Sequence, residues 1–230
     1  MEKNVPTLEK NIKEALITIV DDPIIDISNC EIVQEDSNGY IALLYTEEEV
    51  KDTIQQMAEI IKNRFKNKHN VVFLEVLNGA KPLADELKTD LNIQPPDLEV
   101  DEDCFYAELD DIHPSSYRKG MKQGELILKK DMTTDPKGKH VLVVEDVIDT
   151  YKTMEGLVNL LKEREALSVT VVILCNKRRK EDADITGFMI DKQHWLVGCG
   201  LGTAVPSQED EIYREINSQK YALGVFIPKR

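Results

Sequence analysis

Two neighbouring carboxylates after an apolar run form the part of this sequence best suited to chemistry. Glu145 and Asp146 directly follow the apolar residues 141–144, and Asp149 comes three positions later. Such a run is typical of a parallel strand that is covered on both faces. Ligands of open α/β sheets bind beyond the carboxyl ends of the strands. The spacing therefore predicts a polar site where this strand ends.

Hydroxyl groups and the start of a helix follow these carboxylates. Thr150 and Thr153 add donors to the free backbone amides of the first helical turn, and such a helix start favours phosphate. Glu145 and Asp146 would bind a divalent metal or two sugar hydroxyls, and Asp149 would exchange a proton with a ring nitrogen. In the competing interpretation these acids only cap a helix. The strand before them and the two threonines after them favour a ligand site.

The elements that must position this site predict an α/β fold. The strand at 141–144, a helix to about Arg164 and a strand at 169–174 form a βαβ unit, which implies a mainly parallel, twisted sheet flanked by helices. Thr46 and Glu49 form a capping box before a helix over 47–65. Further strands are predicted at 41–45, 71–77, 98–109, 125–129, 195–198 and 223–226, and a further helix at 81–91.

Three segments are expected to lie outside the central sheet. Residues 1–40 are interpreted as an N-terminal segment that forms an irregular arm or part of a hood, and 41–230 as the main domain. The polar residues 110–124 contain proline and glycine and suit a mobile loop. Residues at about 185–227 are expected to form a small hood.

The bulk composition excludes some classes of protein. The 230-residue chain has 43 acidic and 29 basic residues and a formal net charge of -14, which argues against broad nucleic-acid binding. A small anionic substrate remains compatible with local positive potential. The chain shows no signal-peptide pattern and no apolar run near the roughly 20 residues that span a bilayer, so we expect a soluble, cytoplasmic protein.

The cysteines and histidines are scattered through the sequence. This spacing argues against a zinc site. Cys175 and Cys199 lie in apolar runs and are expected to be buried, reduced thiols.

The segment 141–154, VLVVEDVIDTYKTM, closely resembles the ribose-phosphate binding motif of hypoxanthine-guanine phosphoribosyltransferases. The resemblance extends over residues 41–227 and includes weaker matches in the family's order. These matches are Leu77-Asn78-Gly79, Ser115-Ser116-Tyr117, Asn176-Lys177-Arg178 and the segment 191–200.

The resemblance implies a type I phosphoribosyltransferase fold and a reaction of a purine with 5-phosphoribosyl pyrophosphate. Glu145 and Asp146 would hold the ribose hydroxyls and the associated Mg²⁺, and Asp149 would take the proton from the purine. The 5′-phosphate would bind at Thr150, Tyr151, Lys152 and Thr153, and pyrophosphate at Asn78, Gly79 and Arg214.

The resemblance also assigns the purine pocket. Lys177 would donate to the exocyclic oxygen of a 6-oxopurine, Trp195 would stack on the base, and the Leu196 backbone would face its far edge. Val147 would complete this pocket, while Ser116 and Tyr117 of the mobile loop would exclude water. Two alternatives without a functional role stay open: Lys177 is a surface lysine in a basic run, and Trp195 is a core residue.

Several positions depart from the family's pattern. Tyr151 stands where the family has glycine, which costs about 1–3 kcal/mol if the backbone conformation is unusual, and its ring is placed to crowd the phosphate pocket. Asn78 replaces a lysine, with Lys81 three residues further on. Gly202 replaces a magnesium-binding aspartate, a loss for which Asp210 is a speculative substitute.

The sequence thus supports two functions. The first is a purine salvage transferase that uses Mg²⁺ and forms a homodimer or homotetramer. The second is a non-catalytic nucleotide-binding paralogue that acts as a regulatory subunit, which the changes at Tyr151 and Gly202 favour. A phosphoribosyltransferase for another base is a third possibility.

Overall fold

A computed structural model describes residues 17–21, 31–36, 39–97, 104–115, 126–149, 151–177, 179–190, 196, 198–199, 201 and 225–229. In chain order the elements are β1 (Ile17–Asp21), β2 (Glu31–Asp36), β3 (Gly39–Tyr45), α1 (Glu47–Phe65), β4 (Val71–Val76), α2 (Lys81–Asp90), β5 (Ile93–Gln94), β6 (Phe105–Tyr106), β7 (Glu108–Ser115), β8 (Ile127–Lys130), β9 (His140–Ile148), α3 (Lys152–Glu163), β10 (Ser168–Asn176), a 3-10 turn (Lys180–Asp182), β11 (Ile185–Met189) and β12 (Val225–Lys229).

A seven-stranded sheet in the order β1-β11-β10-β9-β4-β7-β8 forms the centre of the fold. Its strands run parallel except β8, which pairs antiparallel with β7. This arrangement confirms the predicted α/β class. Because the strands run parallel, the carboxyl ends of β9, β10 and β4 face the same edge of the sheet.

Helices cover both faces of this sheet. Alternate side chains of β4, β9 and β10 enter two separate hydrophobic clusters, one on each face. The first cluster contains α1 and α2, and the second contains the buried face of α3, with Met154, Leu157 and Leu161. Burial on both faces explains why these strands are continuous apolar runs in the sequence.

The helices and strands predicted around the site are confirmed. The capping box of α1 is complete, because the Glu49 amide donates to Thr46 Oγ1 at 3.2 Å and the Thr46 amide donates to Glu49 Oε2 at 2.8 Å. β9, α3 and β10 form the predicted βαβ unit. β9 continues four residues beyond its apolar core, so Glu145 and Asp146 lie within the strand and not after it.

The structure differs from the sequence prediction in three segments. β1 and β2 lie in the segment interpreted as an irregular arm, and β1 pairs with β11 at the edge of the central sheet. The strand β7 occupies 108–115, so residues 110–115 of the predicted loop are strand, and its residues 116–124 lie outside the described part of the chain. β11 belongs to the central sheet and not to a hood.

Tertiary pairing explains the unexpected strand β7. Its sequence contains Asp110, Asp111 and Pro114, which are poor strand formers. Pairing with β4 on one side and β8 on the other supplies the hydrogen bonds that the local sequence does not favour. The Asp110 carboxylate also accepts from the amides of Thr133 and Thr134, at 2.8 and 2.6 Å.

A separate three-stranded antiparallel sheet, β12-β3-β2, joins late and early parts of the chain. This sheet includes residues before and after residue 40. The domain boundary predicted at residue 40 remains a prediction. The predicted strand at 195–198 lies mostly outside the described residues, as does the first part of the one at 98–109. None of the helices in the described part of the chain is both long and apolar enough to cross a bilayer.

Candidate active site

The carboxyl ends of β9 and β10 bring the predicted catalytic and purine-binding residues together. The two strands pair in parallel up to Ile148 and Asn176. The pairing continues one residue further, because the Lys177 amide donates to the Ile148 carbonyl at 3.1 Å. Asp149 and Lys177 are therefore the first residues beyond two neighbouring strand ends, where side chains of adjacent strands meet.

Asp149 and Lys177 form an ion pair. Lys177 Nζ lies 3.2 Å from Asp149 Oδ1. Only 8% of the Lys177 surface is exposed, whereas the Asp149 side chain is 61% exposed. Lys177 is thus a buried cation that points at an accessible carboxylate, and the alternative of a solvated surface lysine is wrong.

Glu145 and Asp146 form the second acidic part of the site. The Asp146 amide donates to Glu145 Oε1 at 3.1 Å, and the Val147 amide donates to Asp146 Oδ1 at 2.9 Å. Burial, and then the neighbouring Asp146 charge, raise the pKa of the Glu145 carboxyl well above its ordinary value. Burial also raises the pKa of Asp146. Both groups therefore favour a ligand that supplies positive charge or hydrogen-bond donors.

A tight turn after β4 touches this acidic pair. A Cβ added to Gly79 would lie 2.1 Å from Asp146 Oδ2 and 2.6 Å from its Cγ. A side chain at this position would force the Asp146 carboxylate to move, so the glycine permits the close approach of the turn to the carboxylate. The Leu77 amide donates to the Ile112 carbonyl at 2.8 Å, and the Leu77–Asn78 peptide is cis. Asn78 is exposed beside the turn.

The start of α3 places backbone amides near the carboxylates. Tyr151 is the N-cap and has φ 58° and ψ -22°, a left-handed conformation, and its side chain does not cap the helix. Lys152 is exposed and Thr153 is partly buried in the first turn. The backbone conformation at Tyr151 is thus unusual, which is the condition under which its side chain is predicted to be costly, and the first amides of α3 have no capping acceptor from this residue.

The Tyr151 ring packs against the hydrophobic cluster on the α3 face of the sheet. Burial, followed by the charge of Asp182, raises the pKa of the Tyr151 hydroxyl. The ring thus packs toward the core on the α3 face, which does not support the predicted crowding of the phosphate pocket.

Two of the residues predicted to line the purine pocket belong to the core on the α1 and α2 face. Val147 is partly buried against the cluster on the α1 and α2 face, and Leu196 belongs to that cluster with 5% exposure. Six of the predicted site residues lie outside the described part of the chain: Ser116, Tyr117, Thr150, Trp195, Asp210 and Arg214. Gly202, the departure at the metal site, lies there too.

Among the described residues, the site offers a metal ion two carboxylates, those of Glu145 and Asp146. No group of three or more His, Cys, Asp or Glu side chains among the described residues could hold a metal ion. Glu145 and Asp146 supply two adjacent carboxylates, the hard oxygen ligands that Mg²⁺ prefers. Two carboxylates suit an ion whose remaining ligands are water and substrate phosphates.

Linear spacing did not reveal two contacts of this site. The Gly79–Asp146 contact depends on the register of β4 against β9, and the seating of the Tyr151 ring depends on how α3 packs. The contact of Asp149 with Lys177 could be predicted from the sequence, because both residues follow strands predicted to be neighbours. Cys175 and Cys199 are buried and free, as predicted.

Known proteins resemble this chain in sequence and in fold. Residues 43–202 match the phosphoribosyl transferase domain family. A hypoxanthine-guanine phosphoribosyltransferase of Streptococcus pneumoniae R6 is 31% identical over 169 residues, which are 71% of this chain and 86% of that protein. The bifunctional protein TilS/HprT of Listeria monocytogenes (serotype 4b) is 32% identical over 172 residues, 73% of this chain. The chain spans about a quarter (24%) of that longer relative.

The fold also matches solved structures. A crystal structure of a hypoxanthine phosphoribosyltransferase from Staphylococcus aureus has a TM-score of 0.62 at 24% identity, covering 81% of this chain and 90% of that chain. The acidic strand end at Glu145 and Asp146 and the phosphate-loop segment 149–153 fall within residues 43–202, which match the family. The chain belongs to the phosphoribosyltransferase family, among the hypoxanthine-guanine phosphoribosyltransferases.

Proposed function

We propose that this chain is a purine salvage transferase, which forms IMP or GMP and pyrophosphate from hypoxanthine or guanine and 5-phosphoribosyl pyrophosphate. The observation that carries the proposal is the ion pair of the buried Lys177 with the accessible Asp149, at 3.2 Å. It lies at the strand edge that also holds Glu145 and Asp146. A carboxylate that can move a proton and a cation that can recognise an oxygen are thus side by side.

The reaction follows from these groups. The bond from the anomeric carbon to the pyrophosphate oxygen breaks, and the electron pair leaves with pyrophosphate. A ring nitrogen of the purine forms the new bond to that carbon, and Asp149 takes the proton that the purine must lose. Glu145 and Asp146 hold the ribose hydroxyls, which fixes the sugar during the transfer.

Lys177 explains a preference for 6-oxopurines. An ammonium group donates hydrogen bonds and accepts none. The exocyclic oxygen of hypoxanthine or guanine accepts such a bond, whereas the amino group of adenine presents donors to it. Because Lys177 is buried, a purine that cannot accept its hydrogen bond leaves one of its N–H donors unsatisfied, which is costly even with Asp149 as ion-pair partner. Val147, Trp195 and Leu196 are proposed to hold the rings of the base.

The phosphate groups are assigned to two backbone turns. The 5′-phosphate binds the first amides of α3, with Thr150, Tyr151, Lys152 and Thr153, because the helix start supplies donors and positive potential. Pyrophosphate binds the turn at Asn78 and Gly79, with Arg214 as a further partner. The Gly79–Asp146 contact places this turn directly beside the ribose carboxylates.

Mg²⁺ is part of the proposal, with Glu145 and Asp146 as its protein ligands and Asp210 as a further candidate. Bound with the diphosphate, the ion supplies charge stabilisation for the leaving group. Ser116 and Tyr117 are proposed to exclude water from the site. A cytoplasmic location and assembly as a homodimer or homotetramer also remain predictions.

A panel of bases tests the proposal. Purified protein is supplied with Mg²⁺, 5-phosphoribosyl pyrophosphate and each of hypoxanthine, guanine, xanthine and adenine, and nucleotide formation is measured. We expect product from hypoxanthine and guanine and little from adenine. Lys177→Met removes the donor and lowers kcat/KM for hypoxanthine about 100-fold or more, in line with the roughly 3 kcal/mol upper range for a charged hydrogen bond. The exposed Lys162→Met on α3 serves as the control and keeps full activity.

Two outcomes would redirect the assignment. Adenine turnover equal to that of hypoxanthine, unchanged in Lys177→Met, would indicate a transferase for another base. Tight IMP binding by folded protein with no turnover of any base would select the nucleotide-binding paralogue.

A further inference from the structure

Tyr151 combines a strained backbone with a well-packed side chain. Its φ of 58° lies in the left-handed region, which side chains with a Cβ rarely adopt. Asn70 and Asn92 also have positive φ, but asparagine tolerates this region better than an aromatic residue does. Since glycine would reach this conformation without cost, some other interaction must offset the strain at Tyr151.

The packing of the ring supplies that interaction. Tyr151 is half-buried and packs against the cluster that contains Met154 and Leu157 of α3 and Ala183 of the β10–β11 connection. The hydroxyl lies within the field of Asp182 of that connection and of Glu155 on α3. The ring is therefore held by packing on the α3 face of the sheet.

The β10–β11 connection, which contributes Ala183 to this cluster, is itself fixed by hydrogen bonds. Asn176 Nδ2 donates to the Arg179 carbonyl at 2.9 Å, and Arg179 Nη2 donates to Asp182 Oδ1 at 3.0 Å. The Asp184 amide donates to the Val171 carbonyl at 2.9 Å, and Asp184 Oδ2 accepts from the Val171 amide at 2.7 Å. These bonds fix the connection to β10 at both ends. The cluster against which the ring packs is thus bordered by a fixed connection.

We propose that Tyr151 is a positioning residue, whose ring anchors the phosphate-binding turn to the hydrophobic cluster on the α3 face of the sheet and holds that turn in its left-handed conformation. The inference rests on the proposed function above for its effect on substrate. A glycine permits the conformation but leaves other conformations open. The anchored tyrosine restricts the turn to the one conformation that presents the α3 amides, so the amides are arranged before phosphate arrives.

Three substitutions separate the ring from the backbone effect. Tyr151→Phe keeps both the ring and the left-handed strain. Tyr151→Ala keeps the strain and removes the ring, whereas Tyr151→Gly removes both. The measurements are kcat, the KM for 5-phosphoribosyl pyrophosphate, the KM for hypoxanthine, the Tm, and amide hydrogen exchange at residues 151–154.

If the ring anchors the turn, the three variants should differ in a graded way in KM and in hydrogen exchange. A general loss of stability would not produce this pattern. Tyr151→Phe is expected within about twofold of the wild type in every constant. Tyr151→Ala raises the KM for 5-phosphoribosyl pyrophosphate about tenfold or more, leaves the KM for hypoxanthine within about twofold, and speeds exchange at the α3 amides. Tyr151→Gly raises the same KM less than alanine does, and its Tm lies above that of Tyr151→Ala.

Two results would overturn the inference. A tenfold lower KM for 5-phosphoribosyl pyrophosphate in Tyr151→Gly than in the wild type would show that the ring obstructs the phosphate site. Equal hydrogen exchange in Tyr151→Phe and Tyr151→Ala would show that the ring anchors nothing. Failure of the proposed function appears differently, as no nucleotide formation by any variant or by the wild type, and the exchange comparison then still decides whether Tyr151 is an anchor.

Discussion

At the scale of single residues, the site consists of pairs that constrain each other. Lys177 neutralises Asp149 across 3.2 Å, and the Asp146 carboxylate fills the space that a side chain at position 79 would need. Tyr151 occupies a backbone conformation that its neighbours must support. A substitution at one member of such a pair therefore acts on the other member, and its effects should be measured in combination.

The contact of Gly79 with Asp146 predicts a coupled pair of substitutions. Gly79→Ala is expected to lower the free energy of unfolding by about 1–3 kcal/mol, because the new Cβ overlaps the Asp146 carboxylate. In an Asp146→Ala background the carboxylate is gone, and the same substitution should cost much less. Urea unfolding of the four proteins gives the coupling free energy. Additive effects would show that the two residues do not meet.

The buried thiols predict selective chemistry. Burial raises the pKa of Cys199 to about 12 and that of Cys175 well above its ordinary value, while Cys104 is partly exposed. The thiolate is the reactive form, so at pH 8 we expect iodoacetamide to modify Cys104 about 100-fold faster than Cys175 or Cys199. Mass spectrometry of peptides measures the rates, and unfolded protein is the control. Equal rates in the native protein would contradict the burial of these two thiols.

At the scale of elements, the sequence correctly predicts those helices and strands whose apolar residues recur at the period of the element and are buried in the core. β9, α3 and β10 were predictable, because their apolar residues follow the pattern of a covered strand, a helix with one buried face and a second covered strand. β7 was not, since its hydrogen bonds come from β4 and β8 and its own residues are poor strand formers. The Gly79–Asp146 contact was hidden for a related reason, as strand register cannot be read from either segment alone.

The capping box of α1 predicts a measurable contribution to stability. Thr46→Ala removes the acceptor of the Glu49 amide and is expected to lower the free energy of unfolding by about 1 kcal/mol, or the Tm by roughly 2–4 °C. Thr46→Ser keeps a hydroxyl acceptor and is the matched control. Thermal unfolding of both variants checks the prediction, and an unchanged Tm for the alanine variant would mean that the box does not stabilise α1.

At the scale of the whole molecule, one edge of the central sheet gathers every described part of the proposed site. The turn after β4, the acidic end of β9, the start of α3 and the first residue after β10 meet there because the four elements belong to one parallel region. The chain carries a net charge of -14, so the cation Lys177 and the α3 amides must supply the positive potential for anionic substrates locally. The sequence predicted this gathering, since it follows from parallel strands with polar residues at their ends.

The most direct test of the account is the rate of IMP formation by Asp149→Asn. The wild type is expected to form IMP from hypoxanthine and 5-phosphoribosyl pyrophosphate with Mg²⁺, and Asp149→Asn to lower kcat by about 10²–10⁴-fold, the usual contribution of a general acid or base. The exposed Glu163→Gln at the far end of α3 is the control and keeps the wild-type rate. Wild-type kcat in Asp149→Asn would contradict the role of Asp149 and, with it, the proposed chemistry of this site.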